Sequence, residues 1–414
     1  MNRREFLVAA GAFASTVRIK ADTPLLHQSG RAGVFAASVR ADFPSVARDT
    51  YLNSAALHPV GTFAANAMKG VVDYRLLGPG EGRADFGPRQ QDELKKKFGA
   101  MINAAGTEIA FTANTSDGEN IVVLGLLGSG SLRGINIVID ELHFTSSLYM
   151  YKELEKTGAE LRIVKHRNWA IDPEDMAKAI DRNTRLVSIA LVSNVNGFMH
   201  DVKPISAIAH ARGALVFADI IQAVGALPVD VKALGIDFAA SGTYKWLMGE
   251  RGIGFLYVRE DLQGTVLPTT RYGHRQVSNF NRAELTWEPL PGAARYETGG
   301  IPVILAAGVN AGIDYVNQLG LSNIRTHARQ LTNRLQEELP PLGYKPLTPL
   351  DTETPIVAFE LKDAGATQKL LQAGHVTGTI VANENRIRLA VSVFNTHQDI
   401  DKAVAVLGGK SPSV

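Results

Sequence analysis

ALVFADIIQAVGA, residues 214–226, is the stretch whose reading decides the fold. Its first five residues are apolar without alternation, and the run ends on Asp219. A strand buried on one face alternates apolar and polar residues, whereas one covered by helices on both faces does not. Five other runs share this texture: EIAFTA (108–113), INIVID (135–140), AELRIVK (159–165), RLVSIALVS (185–193) and IGFLYV (253–258). Helical patterns separate them. Asp172, Pro173, Glu174 and Asp175 read as a cap, a first-turn proline and an acidic first turn, while Pro204 opens a further helix that Gly213 closes. The expected fold class is α/β, a mostly parallel central sheet wrapped by helices. Beyond Gly300 a long amphipathic helix carries Ile324, Ala328, Leu331, Leu335 and Leu339 on one stripe, stopped by Pro340 and Pro341. A smaller α+β unit follows, with strands PIVAFEL and RIRLAVSVF and a last helix capped by Thr396 and Asp399. The expected divisions are a leader over 1–21, an extended lead-in over 22–50, a large domain over 51–299 and a small one over 300–414.

Composition narrows the function. The 414 residues are 45% hydrophobic and 20% charged, enough for a large core. Lys plus Arg number 43 against 41 Asp plus Glu, a net +2 that leaves no footprint for nucleic acid or an anionic membrane. There is no cysteine, which excludes disulfides, thiolate metal sites and a thiol nucleophile; no metal site is expected. The N-terminus, NRREFLVAAGAFASTV, pairs Arg3 and Arg4 ahead of a short apolar run and resembles a twin-arginine export signal, too short to anchor the chain in a bilayer. Periplasmic localisation is the expectation, with an amphipathic N-terminal helix of a cytoplasmic protein as the alternative.

Four segments carry chemistry. Asp219 stands at the C-terminal end of a buried strand, where open α/β sheets place ligands and where a carboxylate needs a partner. Lys245, in SGTYKWLMGERGIGFLYV, lies between Tyr244 and Trp246, which would desolvate it and lower its pKa toward Schiff-base chemistry; a snorkelling surface lysine is the plainer alternative. Asn114, Thr115 and Ser116 begin a helix whose free amides form a phosphate site, beyond what ordinary capping needs. Arg386 and Arg388 share one strand face suited to a carboxylate, unless that face is a solvated edge.

In order and spacing these segments resemble the class V aminotransferases, the fold-type I pyridoxal-phosphate enzymes that include cysteine desulfurases, isopenicillin N epimerase-like proteins and related lyases. The likeness runs from Tyr51 to Leu407. It implies pyridoxal 5'-phosphate as cofactor, a homodimer, and a small-molecule amino substrate. By the same resemblance Lys245 would be the Schiff-base lysine and proton shuttle, Asp219 would hold the pyridinium nitrogen protonated, and Gln222 and Asn194 would reach the phenolic oxygen. Thr115 and Ser116, helped by Ser241 or Thr243, would hold the phosphate. Phe144 would stack on the ring where desulfurases carry a histidine, with His143 as the neighbouring candidate. Arg388 would bind the substrate carboxylate, and Asn53 and Ser54 would line the substrate mouth. Tyr272, His274 and Arg275 are further substrate-side candidates or an ordinary surface loop. Departures are the missing catalytic cysteine, Gly249 and Glu250 in place of a Gly-Pro after the lysine, and YETGG, which puts Gly300 where a phosphate-binding hydroxyl is usual and leaves Thr298 as its substitute. The expected function is transamination of an amino acid or of an amino-acid moiety in a larger molecule, such as a secreted peptide or siderophore. The alternatives are a lyase or epimerase and a non-catalytic binding protein.

Overall fold

The computed structural model describes residues 35, 37–128, 132–350 and 352–409. The leader expected over 1–21 lies outside the described residues, as does the lead-in as far as residue 34. Seven strands build the large sheet: β1 (Ile109–Thr112), β2 (Asn136–Asp140), β3 (Glu160–Val164), β4 (Thr184–Ala190), β5 (Leu215–Asp219), β6 (Phe238–Gly242) and β7 (Gly254–Val258). Their spatial order is β1-β7-β6-β5-β4-β2-β3. All neighbours are parallel except the two pairs made by β7, which runs against both β6 and β1.

Period-two geometry explains the unbroken apolar runs. Val138, Val187, Val216, Ala218 and Phe255 point into one core, and Ile137, Ile139, Leu186, Phe217 and Leu256 into a second core on the opposite face. Helices α1 (Thr62–Leu77), α2 (Pro88–Met101), α3 (Thr115–Leu127), α4 (Thr145–Leu154), α5 (Pro173–Ala179) and α6 (Val202–Ala211) belong to this layer. The cap on α5 is as read, with the Asp172 carboxylate accepting from the Glu174 amide. Helix α6 starts two residues before Pro204, which sits inside its first turn, where a missing N–H costs nothing.

Two features differ from the sequence reading. Helix α7 (Val303–Leu319) precedes the expected amphipathic helix, α8 (Leu321–Glu338), and buries Ala306, Val309, Ile313 and Val316 in the core of the large sheet. The stripe of α8 spans two cores: Ile324 joins that of the large sheet, while Ala328, Leu331 and Leu335 join the core of the small unit. Nor is the lead-in extended throughout. Residues Ala37–Ala41 form a short helix, Val39, Phe43 and Val46 are buried, and Arg40 pairs with Asp399 at 2.8 Å. Five helical residues are too few to show a periodicity.

The small sheet is antiparallel, in the order β8-β9-β11-β10, from β8 (Lys345–Pro346), β9 (Ile356–Glu360), β10 (Thr379–Val381) and β11 (Arg386–Ala390). Helices α9 (Ala364–Ala373) and α10 (His397–Leu407) belong to the same unit. The capping box of Thr396 and Asp399 starts α10. Thr50–Tyr51 pairs in parallel with Val376–Thr377, Leu52 lies in the small core, and Asn53 bridges to Ala390. The same segment then crosses to the large unit, where the Gln222 amide donates to the Ala55 carbonyl at 3.0 Å and the His58 amide to the Tyr244 carbonyl at 2.9 Å.

Close packing after β5 depends on one glycine. Gly225 has φ +91°, and a Cβ there would lie 2.5 Å from the Trp246 carbonyl oxygen, so the turn after Asp219 can touch the loop of Lys245 only without a side chain. Gly225→Ala should therefore lower stability by about 2 kcal/mol or more, since backbone strain and a steric clash add. Urea unfolding checks this, and an unchanged midpoint would contradict it.

Candidate active site

Residues from the C-terminal ends of β1, β2, β4, β5 and β6 meet in a cleft with about 450 Å³ of free space, part of it open to solvent. Strand β5 delivers Asp219. Its Oδ1 accepts from the Ile221 amide at 2.9 Å. Burial pushes its carboxyl up to about 6, opposed by that amide and by the charge of Lys245. Lys245 follows neighbouring β6 and is buried as well. Desolvation lowers its ammonium to about 8; Asp219 pulls it back up and Arg388 pushes it down. Its Nζ lies 5.9 Å from the ring centre of Phe144 and 5.7 Å from that of Tyr244. Snorkelling is thus excluded. Met248, at φ +56°, closes the turn by donating its amide to the Lys245 carbonyl at 2.9 Å.

The start of α3 forms another wall. Asn114 caps it by accepting from the Asp117 amide at 2.9 Å. Thr115 and Ser116 line the cleft. Thr115 Oγ1 accepts from the Gly242 amide at 2.8 Å, tying the helix start to the end of β6, and Ser116 Oγ lies 3.1 Å from Ser146 Oγ. First-turn amides have no partner within a helix, so this end suits an anion.

Ser241 and Thr243 are not among the residues lining the cleft. Both hydroxyls serve the backbone: Ser241 Oγ donates to the Gly242 carbonyl, and Thr243 Oγ1 to the carbonyls of Glu250 and Ile253. After β2, Phe144 faces the cleft while His143 is fully buried behind it.

Asn194 and Gln222 also line the cleft. Gln222 is held at both ends, donating to Ala55 and accepting from Trp246 Nε1 at 3.0 Å, which leaves one amide hydrogen free. Asn194 Oδ1 is buried without a protein partner. The Asn194 carbonyl accepts from Arg388 Nη1 at 2.7 Å, and the Val195 carbonyl accepts from Arg386 Nη1. These arginines are buried, which overturns the solvated-edge alternative. Arg388 also donates to Thr379 Oγ1 at 3.2 Å, its Nε lacks a partner, and no carboxylate pairs with it among the described residues. Burial, aided by Arg386, lowers it to about 10. A buried guanidinium without a counter-ion calls for a carboxylate. Nearby, Asn53 Oδ1 accepts from Thr379 Oγ1 at 2.6 Å, and Ser54 Oγ is buried and unpartnered.

Tyr272, His274, Arg275 and Thr298 do not line the cleft. Tyr272 is 84% exposed, and Arg275 donates to Gln91. One buried charged residue escaped the sequence reading: Glu119 on α3. Its signal was an acid on the apolar side of a helix beside Ile121 and Val122, where ordinary burial would forbid one.

The family model described as Aminotransferase class-V matches residues 88–402. The chain belongs to the class-V aminotransferase family. A probable cysteine desulfurase of Methanothermobacter thermautotrophicus is 33% identical over 301 residues, 72% of this chain and 74% of that protein. A cysteine desulfurase of Escherichia coli K12 is 29% identical over 398 residues, covering 89% and 96%. Among solved structures, a cysteine desulfurase from Thermococcus onnurineus superposes with a TM-score of 0.81 at 25% identity, over 92% of this chain and 99% of that one. The cystine C–S lyase C-DES superposes at 0.80 and 22% identity, over 89% and 100%. This is the fold-type I architecture, and the protein is a pyridoxal-phosphate-dependent class-V enzyme acting on an amino acid. The residues present fit that cofactor. A buried carboxylate for a ring nitrogen, a buried amine for a carbonyl, a helix start for a phosphate and an unpartnered Asn194 Oδ1 converge on one cleft.

Attack on the cofactor's carbonyl requires neutral Lys245, so uptake of pyridoxal phosphate by the apoprotein should accelerate with pH around a midpoint of about 8. Arg388→Gln removes a charge that lowers this pKa, and should move the midpoint up; Asp219→Asn removes one that raises it, and should move it down. Stopped-flow rates against pH test this, and a wild-type midpoint near the ordinary lysine value of about 10.4 would contradict it.

Proposed function

We propose that this class-V enzyme is an aminotransferase, acting on a free amino acid or on an amino-acid moiety of a larger molecule. The observation that carries the reading is the proton inventory of the cleft: Lys245 is its one amine, the ring-facing position is Phe144, and no histidine lines it among the described residues. When bound, pyridoxal phosphate supplies an electron sink. Arg388 holds the substrate carboxylate and thereby turns the α-hydrogen toward Lys245. Lys245 Nζ would take that proton and give it back on the cofactor side of the substrate's amino nitrogen, a transfer that one buried amine near its working pKa can perform alone. Asp219 would hold the ring nitrogen and keep a proton on it. Phe144 has no proton to give a departing group, and the chain has no cysteine to receive sulfur.

A second reading is a lyase that eliminates a sulfur group. It is favoured by the relatives named cysteine desulfurases and by Tyr244, a cleft-lining phenol whose pKa burial raises, so that it keeps its proton. Export and tailoring of a secreted peptide or siderophore belong to this proposal, resting on the Arg3 and Arg4 leader, and a homodimer rests on the family resemblance.

Incubation with a panel of amino acids and free-amino peptides separates the readings. A transaminase gives one equivalent of oxo product and turns over only when a second oxo acid is added; release of ammonia without an acceptor would establish the lyase instead. Lys245→Ala should slow either reaction by roughly 10³-fold, on the scale of a lost general base.

A further inference from the structure

Behind Phe144 runs a chain of buried polar groups that the reaction above does not use. Glu119, one turn beyond Thr115 on α3, accepts from Ser147 Oγ at 2.6 Å, Tyr151 Oη at 3.0 Å and Ser188 Oγ at 3.2 Å. Ser188 Oγ lies 3.0 Å from His143 Nε2, and His143 Nδ1 is 2.7 Å from the Phe144 amide nitrogen. Ser147, Tyr151, Ser188, Glu119 and His143 are all buried.

The direction of every bond follows from its donors. A backbone N–H can only donate, so His143 Nδ1 is bare. Burial holds the imidazole down to about 4, so the ring is neutral and its one proton is on Nε2. That proton goes to Ser188, and the Ser188 hydrogen goes to Glu119. Three bonds thus run one way, from the Phe144 backbone to a buried carboxyl. Burial pushes Glu119 up to about 7 while its hydroxyl donors pull it down, and the charge of Asp219 reaches it from the cleft side.

Phe144 is the residue that needs such a hold. It occupies the N-cap of α4 in an extended conformation and makes no side-chain capping bond, because a phenyl ring cannot. Its ring nevertheless has to stand at a fixed height over whatever lies between it and Lys245.

We infer that Glu119, acting through Ser188 and His143, is a positioning residue that fixes Phe144 against the cofactor ring and so sets how firmly and at what tilt pyridoxal phosphate is held. The inference rests on the placement of that cofactor beside Phe144 in the reading above. Neither Glu119 nor Ser188 lines the cleft; because Glu119 also feels the charge of Asp219, the Phe144→Ala background is what isolates the route through Phe144.

The test is a mutant cycle on the holoenzyme, read by the pyridoxal-phosphate dissociation constant and the visible circular dichroism of the bound cofactor. Ser188→Ala deletes one oxygen and cuts the chain at its middle; Glu119→Leu removes the anchor but leaves three hydroxyls unpaired and endangers folding. Ser188→Ala should weaken cofactor retention roughly tenfold, the scale of one buried hydrogen bond, and diminish the dichroic band. A folded Glu119→Leu should do the same. In a Phe144→Ala background Ser188→Ala should add nothing. The inference is overturned if Ser188→Ala lowers only thermal stability with the dichroism and dissociation constant unchanged, or if its loss adds in full to that of Phe144→Ala. Wild-type protein that takes up no pyridoxal phosphate would overturn the functional reading as well, whereas normal uptake with a silent Ser188→Ala overturns this inference alone.

Discussion

Two opposite charges are buried at the C-terminal ends of neighbouring central strands, and the rest of the molecule is arranged to make that tolerable. Asp219 and Lys245 end adjacent parallel strands, with Asp219 in register with Ala240 of β6. Each alone would be driven to its neutral form, and the shifts run that way, the carboxyl upward and the amine downward. Each partly restores the charge of the other. Such a pair gives little net stability and is easily bettered by apolar residues, so its presence points to chemistry rather than to folding. The geometry leaves a poised amine in a low-dielectric cleft, which is the condition under which a lysine attacks a carbonyl at ordinary pH.

Holding that pair requires contributions from distant parts of the chain. Gly225 lets the turn after β5 meet the loop after β6, and Gln222 is clamped between Trp246 and Ala55. The segment from Thr50 to His58 begins in hydrogen-bond register with the small unit and ends on the carbonyl of Tyr244. It is therefore a strut between the strand that carries Arg388 and the loop that carries Lys245. Arg388 in turn reaches back to the Asn194 carbonyl. The residues lining the cleft all come from the large unit; Arg388 stands behind Asn194 and reaches the site through its charge on Lys245, so a substrate carboxylate at Arg388 would touch the small unit while its amino group meets the large one.

Much of this was legible in the sequence because it depends on local rules. Continuous apolar runs specified strands covered on both faces, the caps at Asp172 and Thr396 lie where they were read, and three of the four chemical segments converge because strand ends on one side of a parallel sheet must converge, while Arg388 arrives from the small antiparallel sheet. What escaped depends on tertiary contact. Helix α7 is apolar around most of its surface, so no stripe announced which core it joined. Ser241 and Thr243 carry the right groups for a phosphate, yet their hydroxyls turn to backbone carbonyls that only the folded glycine turn brings near. His143 and Phe144 are neighbours in sequence on opposite sides of a wall, and spacing cannot say which faces the cleft. Glu119 shows in the sequence only as an acid out of place on the apolar side of α3, and its partners Ser147, Tyr151 and Ser188 arrive from two other elements.

The claim on which all of this rests is that Lys245 is the residue joined to pyridoxal phosphate. Purified protein should be incubated with the cofactor, reduced with borohydride, digested and analysed by peptide mass spectrometry. The account predicts a visible absorbance band that reduction abolishes and a pyridoxyl group on the peptide containing Lys245, absent from Lys245→Ala. Protein without the band, or with the label on a surface lysine instead, would contradict it.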